Sequence, residues 1–168
     1  IGDSYVAVVG LPEPRRDHAV VMARFARDCR DDMNRLTREL ETTLGPDTND
    51  LQLRFGLPCG PVPAGVPRGQ TSRFQLFGDP VKTAARMESN GIRNRIQVSQ
   101  TTADLLIAAG KEHWVTKRDE LVSAKGKGKM QTYWVDPKNG AGGSVTSSFS
   151  QPNETNESSR GLSIVDDK

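Results

Sequence analysis

The stretch FGDPVKTAARMESNG, Phe77 to Gly91, carries the strongest local instructions in the chain. Asp79 is suited to cap a helix, and Pro80 suits the first helical position, where a missing N–H is harmless. Val81, Ala84, Ala85 and Glu88 then fall on one side, which predicts a helix with a small, close-packing stripe. Lys82 and Arg86 share another side, one turn apart, with no carboxylate between them. Like charges at that spacing repel by roughly a few tenths of a kcal/mol. An anion brought from elsewhere would relieve that repulsion.

Working outward, Arg73 to Leu76 reads as a short strand leading into this helix, and the proline- and glycine-rich CGPVPAGVPRGQ before it reads as a loop. Leu51 to Leu57 alternates, with Leu51, Leu53, Phe55 and Leu57 expected to point inward from a half-buried strand. Asp17 to about Leu44 is the longest periodic segment. Met22, Phe25, Ala26, Cys29, Met33, Leu36 and Leu40 step by three and four, predicting an amphipathic helix that Gly45-Pro46 ends. Tyr5 to Val9 is a β-rich run, and Gly2-Asp3 ahead of it is a hairpin-turn signal that places Asp3 at a tip. On the C-terminal side, Ile96 to Val98 reads as a strand, Ser99 caps a helix that stops at Gly110, and KGKGK leads into a last strand, Met130 to Val135. Strands and helices alternate with short connections, as in an α/β or α+β sandwich.

Composition narrows the function. At 168 residues and 35% hydrophobic, the chain suits one domain, 1–136, followed by an unpacked tail. That tail, 137–168, is rich in Gly, Ser, Asn and Thr and is expected to be disordered. Its triplets at Asn153 and Asn156 are of the kind that arise by chance in such tails. A net charge of +2 and 5% aromatic residues argue against a nucleic-acid-binding surface, which needs a concentrated basic face with stacking groups. Cys29 and Cys59 form no CxxC, have no histidine near them in metal-ligand spacing, and read as reduced thiols of a cytosolic domain. No apolar run approaches the ~20 residues of a membrane span. A chain that opens IGDSYVAVVG starts inside a strand pattern, as a fragment lacking its N-terminal part would.

Two helix cations, a glycine-rich segment and a Lys-Gly-Lys-Gly-Lys loop together suit several phosphates. Arginine offers planar bidentate donors to phosphoryl oxygens, and lysine a compact point charge. Taken singly, each of these features is more often plain solvated surface.

In order along the chain, IGDSYVAVVGLP, DHAVVMARFARD, RFGLPCGPVPAGV, RFQLFGDPVKTAARMESNG, IQVSQTTADLL and KGKGKMQTYWV resemble the catalytic domain of class III nucleotidyl cyclases, most closely the receptor-type guanylyl cyclases. The resemblance spans Ile1 to about Asp136. It implies an α+β fold, a ferredoxin-like βαββαβ sandwich that is truncated at its N-terminus here. It also implies a dimer, homodimer or heterodimer with another cyclase domain, whose sites form across the interface. The implied reaction closes GTP to cyclic GMP and pyrophosphate, with two Mg²⁺ or Mn²⁺ ions activating the 3′-oxygen and holding the phosphates.

Carried over by residue, the resemblance makes Asp3 one of two metal-binding aspartates. Arg86 becomes the arginine that stabilises the pentavalent α-phosphate, and Lys125, first of the KGKGK lysines, the grip on the terminal phosphates. Gln75 falls at a base-reading position. Its amide donates and accepts, so it suits guanine or adenine, and ATP stays open as a substrate. Lys82 stands where the family has an asparagine that orients the ribose; lysine supplies donors only. Asp3 is the second of the metal-binding aspartates; the first, like the first base-selecting residue, would lie before Ile1, so the fragment alone is expected to be inactive. A catalytically degenerate partner domain, dimerising with or regulating an active half, is the alternative that Lys82 favours. Receptor-type relatives carry a membrane segment upstream, which would make this a cytoplasmic domain of a membrane-anchored protein.

Overall fold

In a computed structural model that describes residues 4–65, 75–76, 78–124 and 128–137, the chain is organised around one fully buried strand. Its described elements are, in chain order, α1 (His18–Leu44), β1 (Phe55–Leu57), β2 (Ala64–Gly65), β3 (Gln75–Leu76), α2 (Asp79–Ser89), β4 (Ile96–Ser99), α3 (Gln100–Ala108), β5 (Val115–Lys117), β6 (Val122–Ala124), β7 (Gly128–Met130) and β8 (Thr132–Val135). Short 3-10 turns occupy Pro46–Asp50 and Glu112–Trp114. The central strand is β4. It pairs in parallel with β1 and antiparallel with β8, which pairs antiparallel with β5, so the sheet order is β1-β4-β8-β5. Two small antiparallel ladders, β2-β3 and β6-β7, stand beside it.

Because successive side chains of a strand point to opposite faces, Ile96 and Val98 share one face of β4. There they meet Leu57 and Val135, the alanines Ala19, Ala23 and Ala26 of α1, Ala103 and Leu106 of α3, and Trp114. Removing side chains of the size of Leu106 and Ile96 from water contributes about 1.5–3 kcal/mol each. The sequence signals at the helix ends hold here. The Ser99 side chain accepts the Thr102 N–H at 3.3 Å, and the Thr102 hydroxyl donates to the Leu57 carbonyl at 2.9 Å, which ties the start of α3 to the end of β1. Gly45, at φ 106°, ends α1 and donates its N–H to the Glu41 carbonyl.

The opposite face of the sheet receives α2. Gly56 lies in register with Gln97 and points away from the main core. A β-carbon built on Gly56 would stand 2.6 Å from the Ala84 carbonyl oxygen, 2.6 Å from the Glu88 nitrogen and 2.8 Å from the Met87 β-carbon. Helix backbone therefore lies directly on strand backbone. The far end of α2 is held by Arg118. Its guanidinium donates to the Asn90 carbonyl and to Gln97 Oε1, both at 3.0 Å, and lies over the Trp134 ring at 4.9 Å. Arg95 stacks at 4.4 Å from the same ring.

The architecture is α+β, as the sequence implies, but several local expectations give way to tertiary packing. Tyr5 to Val9 is not a strand: Tyr5 is 85% exposed, and no ladder partner for this run exists among the described residues. A β-rich run becomes a strand only where a neighbouring edge accepts its hydrogen bonds. Only Phe55–Leu57 of the expected Leu51–Leu57 strand pairs, and Leu51 is exposed. On α1 the buried side is Ala19, Ala23, Ala26 and Thr37, whereas Phe25, Leu36 and Leu40 are exposed. The helix lies close to the sheet, and that narrow gap selects small side chains over large ones. On α2 the cap is Gly78 rather than Asp79, which stands in the first turn, and the buried residues are Thr83 and Met87 rather than the Val81–Ala85 stripe. The last strand breaks at Gln131, whose side-chain amide donates to the Arg118 carbonyl at 2.7 Å. Pro137, assigned to the tail from sequence, is fully buried. The rest of that tail, residues 73–74 and the Gly2-Asp3 turn lie outside the described residues.

Two measurements check this packing. Gly56→Ala is expected to destabilise the chain by about 3 kcal/mol in urea unfolding. Gly65→Ala, whose added β-carbon meets nothing within 4 Å, should cost less than about 0.5 kcal/mol. Arg118→Ala is expected to cost about 2–3 kcal/mol, since it strands two hydrogen-bond acceptors. Arg118→Lys should recover little, because an ammonium cannot reproduce the planar fork over Trp134.

Candidate functional site

The site is built on α2. Thr83 and Met87 face the sheet, and Lys82 and Arg86, about 40° apart around the helix axis, stand together on one flank. Lys82 is exposed and Arg86 partly buried. Arg86 occupies the last turn, where a cation meets the negative end of the helix dipole. Its carbonyl accepts the Asn90 N–H at 3.1 Å and Asn90 Nδ2 at 2.8 Å, which closes the helix. Of the two acids on the helix, Asp79 stands in the first turn on the same flank as the cations, and Glu88, on the other side, is engaged by Arg54 Nε at 2.7 Å. Among the described residues neither Lys82 nor Arg86 makes an ion pair.

The backbone brings two further segments towards this helix. β3, which carries Gln75, ends shortly before α2 begins, and β6, which ends one residue before Lys125, packs against α2. The side chain of Gln75, together with Asp3 and Lys125, lies outside the described residues. Of the sequence-derived candidates, the structure thus brings together Lys82 and Arg86. Among the described residues no group of three or more His, Cys, Asp or Glu side chains is placed to hold a metal ion.

A cavity of about 460 Å³ opens on the other flank of α2. Pro80, Val81 and Ala84 form one wall, and residues 6–11 and 56–62 form much of the rest. Lys82 and Arg86 do not line it, and its walls are largely apolar, so it is no phosphate site. It holds a feature that sequence spacing did not disclose: His18 Nε2 stands 3.1 Å from Cys59 Sγ, across 41 positions of chain. Both thiols are free, as expected. Burial pushes the Cys59 thiol up from its ordinary value, partly opposed by a hydrogen bond from the Gly60 backbone.

Residues 1–137 match the family model of the adenylate and guanylate cyclase catalytic domain. Human atrial natriuretic peptide receptor 2 is 43% identical over 136 residues, covering 80% of this chain and 12% of the receptor. The chain thus spans only a small part of that relative's length. The guanylate cyclase domain of RhGC from Catenaria anguillulae, solved in complex with GTP, superposes with a TM-score of 0.58 at 36% identity, over 76% of this chain and 64% of that one. The non-canonical dimeric guanylyl cyclase domain of the RhoGC fusion protein from Blastocladiella emersonii gives 0.57 at 29%, over 77% and 69%.

Since the two helix cations have no ion-pair partner among the described residues, they are expected to add little to stability. Lys82→Ala and Arg86→Ala should each change the unfolding free energy by less than about 1 kcal/mol in urea titration. A larger loss would mean that these side chains serve the fold.

Proposed function

The chain belongs to the adenylate and guanylate cyclase catalytic domain family, and from that premise we propose that it is the phosphate-gripping part of a guanylate cyclase. The reaction closes GTP to cyclic GMP in intracellular signalling: the 3′-oxygen attacks the α-phosphorus and pyrophosphate leaves. The observation that carries this reading is the Lys82–Arg86 pair, two cations on one flank of α2 with no ion pair among the described residues. Negative charge in the transition state spreads over the phosphoryl oxygens, so a fixed guanidinium stabilises it more than it does the ground state. Arg86 takes that role. Its helix is immobilised by the Gly56 contact and the Arg118 clamp, so little reorganisation accompanies the reaction. Lys82 adds donors and charge towards the ribose or a phosphate, Lys125 towards the terminal phosphates, and Gln75 reads the base.

The GTP complex of the Catenaria relative supports the nucleotide class, and the dimeric Blastocladiella relative supports assembly across two subunits. The family's divalent ions, Mg²⁺ or Mn²⁺, supply Lewis-acid activation when bound. The described residues provide no matching ligand cluster, and Asp3 stands outside them. No helix among the described residues is long and apolar enough to cross a membrane. The receptor relative supports a place on the cytoplasmic side of a membrane-anchored protein.

Lys82 favours a second reading, in which the domain binds nucleotide and supports an active partner without turning over itself. Cyclic GMP and cyclic AMP formation by a dimer containing this chain separates the two. For an active enzyme, Arg86→Ala is expected to lower kcat by about a hundredfold or more with a much smaller change in KM. Lys82→Asn should raise kcat if the ammonium hinders ribose placement. An Arg86→Ala chain with undiminished kcat would refute the proposal. GTP binding with no turnover, even after Lys82→Asn, would establish the second reading.

A further inference from the structure

The cavity on the far flank of α2 contains a nucleophile, a base and an orienting group, independently of the nucleotide site. His18 Nδ1 lies 2.6 Å from the Arg15 carbonyl oxygen. A carbonyl only accepts, so Nδ1 carries the hydrogen, and in the neutral ring Nε2 is left as an acceptor. That lone pair meets Cys59 Sγ at 3.1 Å. The thiol is thus the donor, and its proton already has a place to go. A nucleophile hydrogen-bonded to a base that a third group orients is the arrangement by which protein thiols are activated.

The cavity supplies the second observation. Both Cys59 and His18 line it, and at about 460 Å³ it has room for a small molecule beside the sulfur. Val6, Val9, Leu11, Met22 and Val62 contribute to its walls, and Arg15, which also borders it, has its guanidinium paired with Asp17, which favours an uncharged occupant. Cys29 offers an internal contrast. Burial pushes both thiols up, but Cys29 also has Asp28 and Asp32 beside it, and no histidine is bonded to it among the described residues.

We propose that Cys59 and His18 form a nucleophile–base pair that makes Cys59 a site of S-thiolation by small disulfides whose uncharged end enters the cavity. In the step, the Cys59 S–H proton passes to His18 Nε2 as the sulfur attacks one sulfur of the disulfide. A new S–S bond forms to Cys59 while the original S–S bond breaks. The departing thiolate takes the proton back from His18, so Cys59 is oxidised and half of the disulfide leaves as its thiol. An excess of small thiol reverses the exchange.

The test treats the 168-residue chain with 2-hydroxyethyl disulfide at neutral pH and follows both cysteines by peptide mass mapping. Each rate is normalised to that of the same cysteine in urea. Cys59 is expected to react at least about tenfold faster than Cys29, and His18→Gln should bring it down to the Cys29 rate with the circular dichroism unchanged. A Cys59 rate at or below that of Cys29 overturns the proposal, as does a Cys59 rate unaffected by His18→Gln in a folded chain. Should His18→Gln lose the folded dichroism, the ratio of the two cysteines in the unsubstituted chain decides alone.

Discussion

Everything on the site-bearing side of the sheet depends on the absence of one side chain. Gly56 lets the backbone of α2 rest on the backbone of β1, with Ala84 O and Glu88 N only 2.6 Å from where a β-carbon would stand. No other residue permits that approach, because even a methyl group would overlap both atoms. At such a contact the helix cannot rock towards the sheet. Arg118 then removes much of the remaining freedom by holding the Asn90 carbonyl at the other end. The consequence is electrostatic as well as mechanical. A charge fixed in direction needs no reorganisation when an anion develops beside it, which is the condition under which a guanidinium stabilises a transition state best.

The two flanks of α2 divide the chemistry. On one, Lys82 and Arg86 make no ion pair among the described residues, and Asp79 of the first turn shares that flank. On the other, Pro80, Val81 and Ala84 border an apolar cavity with Cys59 and His18 in its wall. The same helix therefore stands between the Lys82–Arg86 pair and a largely apolar pocket that Cys59 and His18 line.

How much of this was readable in advance follows from the range of each force. Gly45 and Ser99 do at the ends of α1 and α3 what their local chemistry demands, because a cap involves only residues within a turn. Ile96 to Val98 is a strand as read, running on to Ser99, since its apolar residues are buried whichever neighbour covers them. The large apolar residues Phe25, Leu36 and Leu40 of α1 misled the reading of its buried face. Periodicity reports hydrophobicity, whereas the narrow gap above the sheet selects for size, and alanines fill it. Likewise Tyr5 to Val9 has the composition of a strand without a described edge to pair with.

By itself, then, the sequence settled the three helices, the buried strand that begins at Ile96 and the one-turn spacing of Lys82 and Arg86, because each is written in residues a few positions apart, while the α+β class came from the resemblance to a known family. Tertiary structure alone decided which face of each helix is buried, how short β1 is, that Gly56 seats α2, and that His18 meets Cys59. Those outcomes depend on backbone and side chains that arrive from tens of residues away. Such close approaches are governed by steric fit, and steric fit leaves no periodic mark on the chain that supplies it.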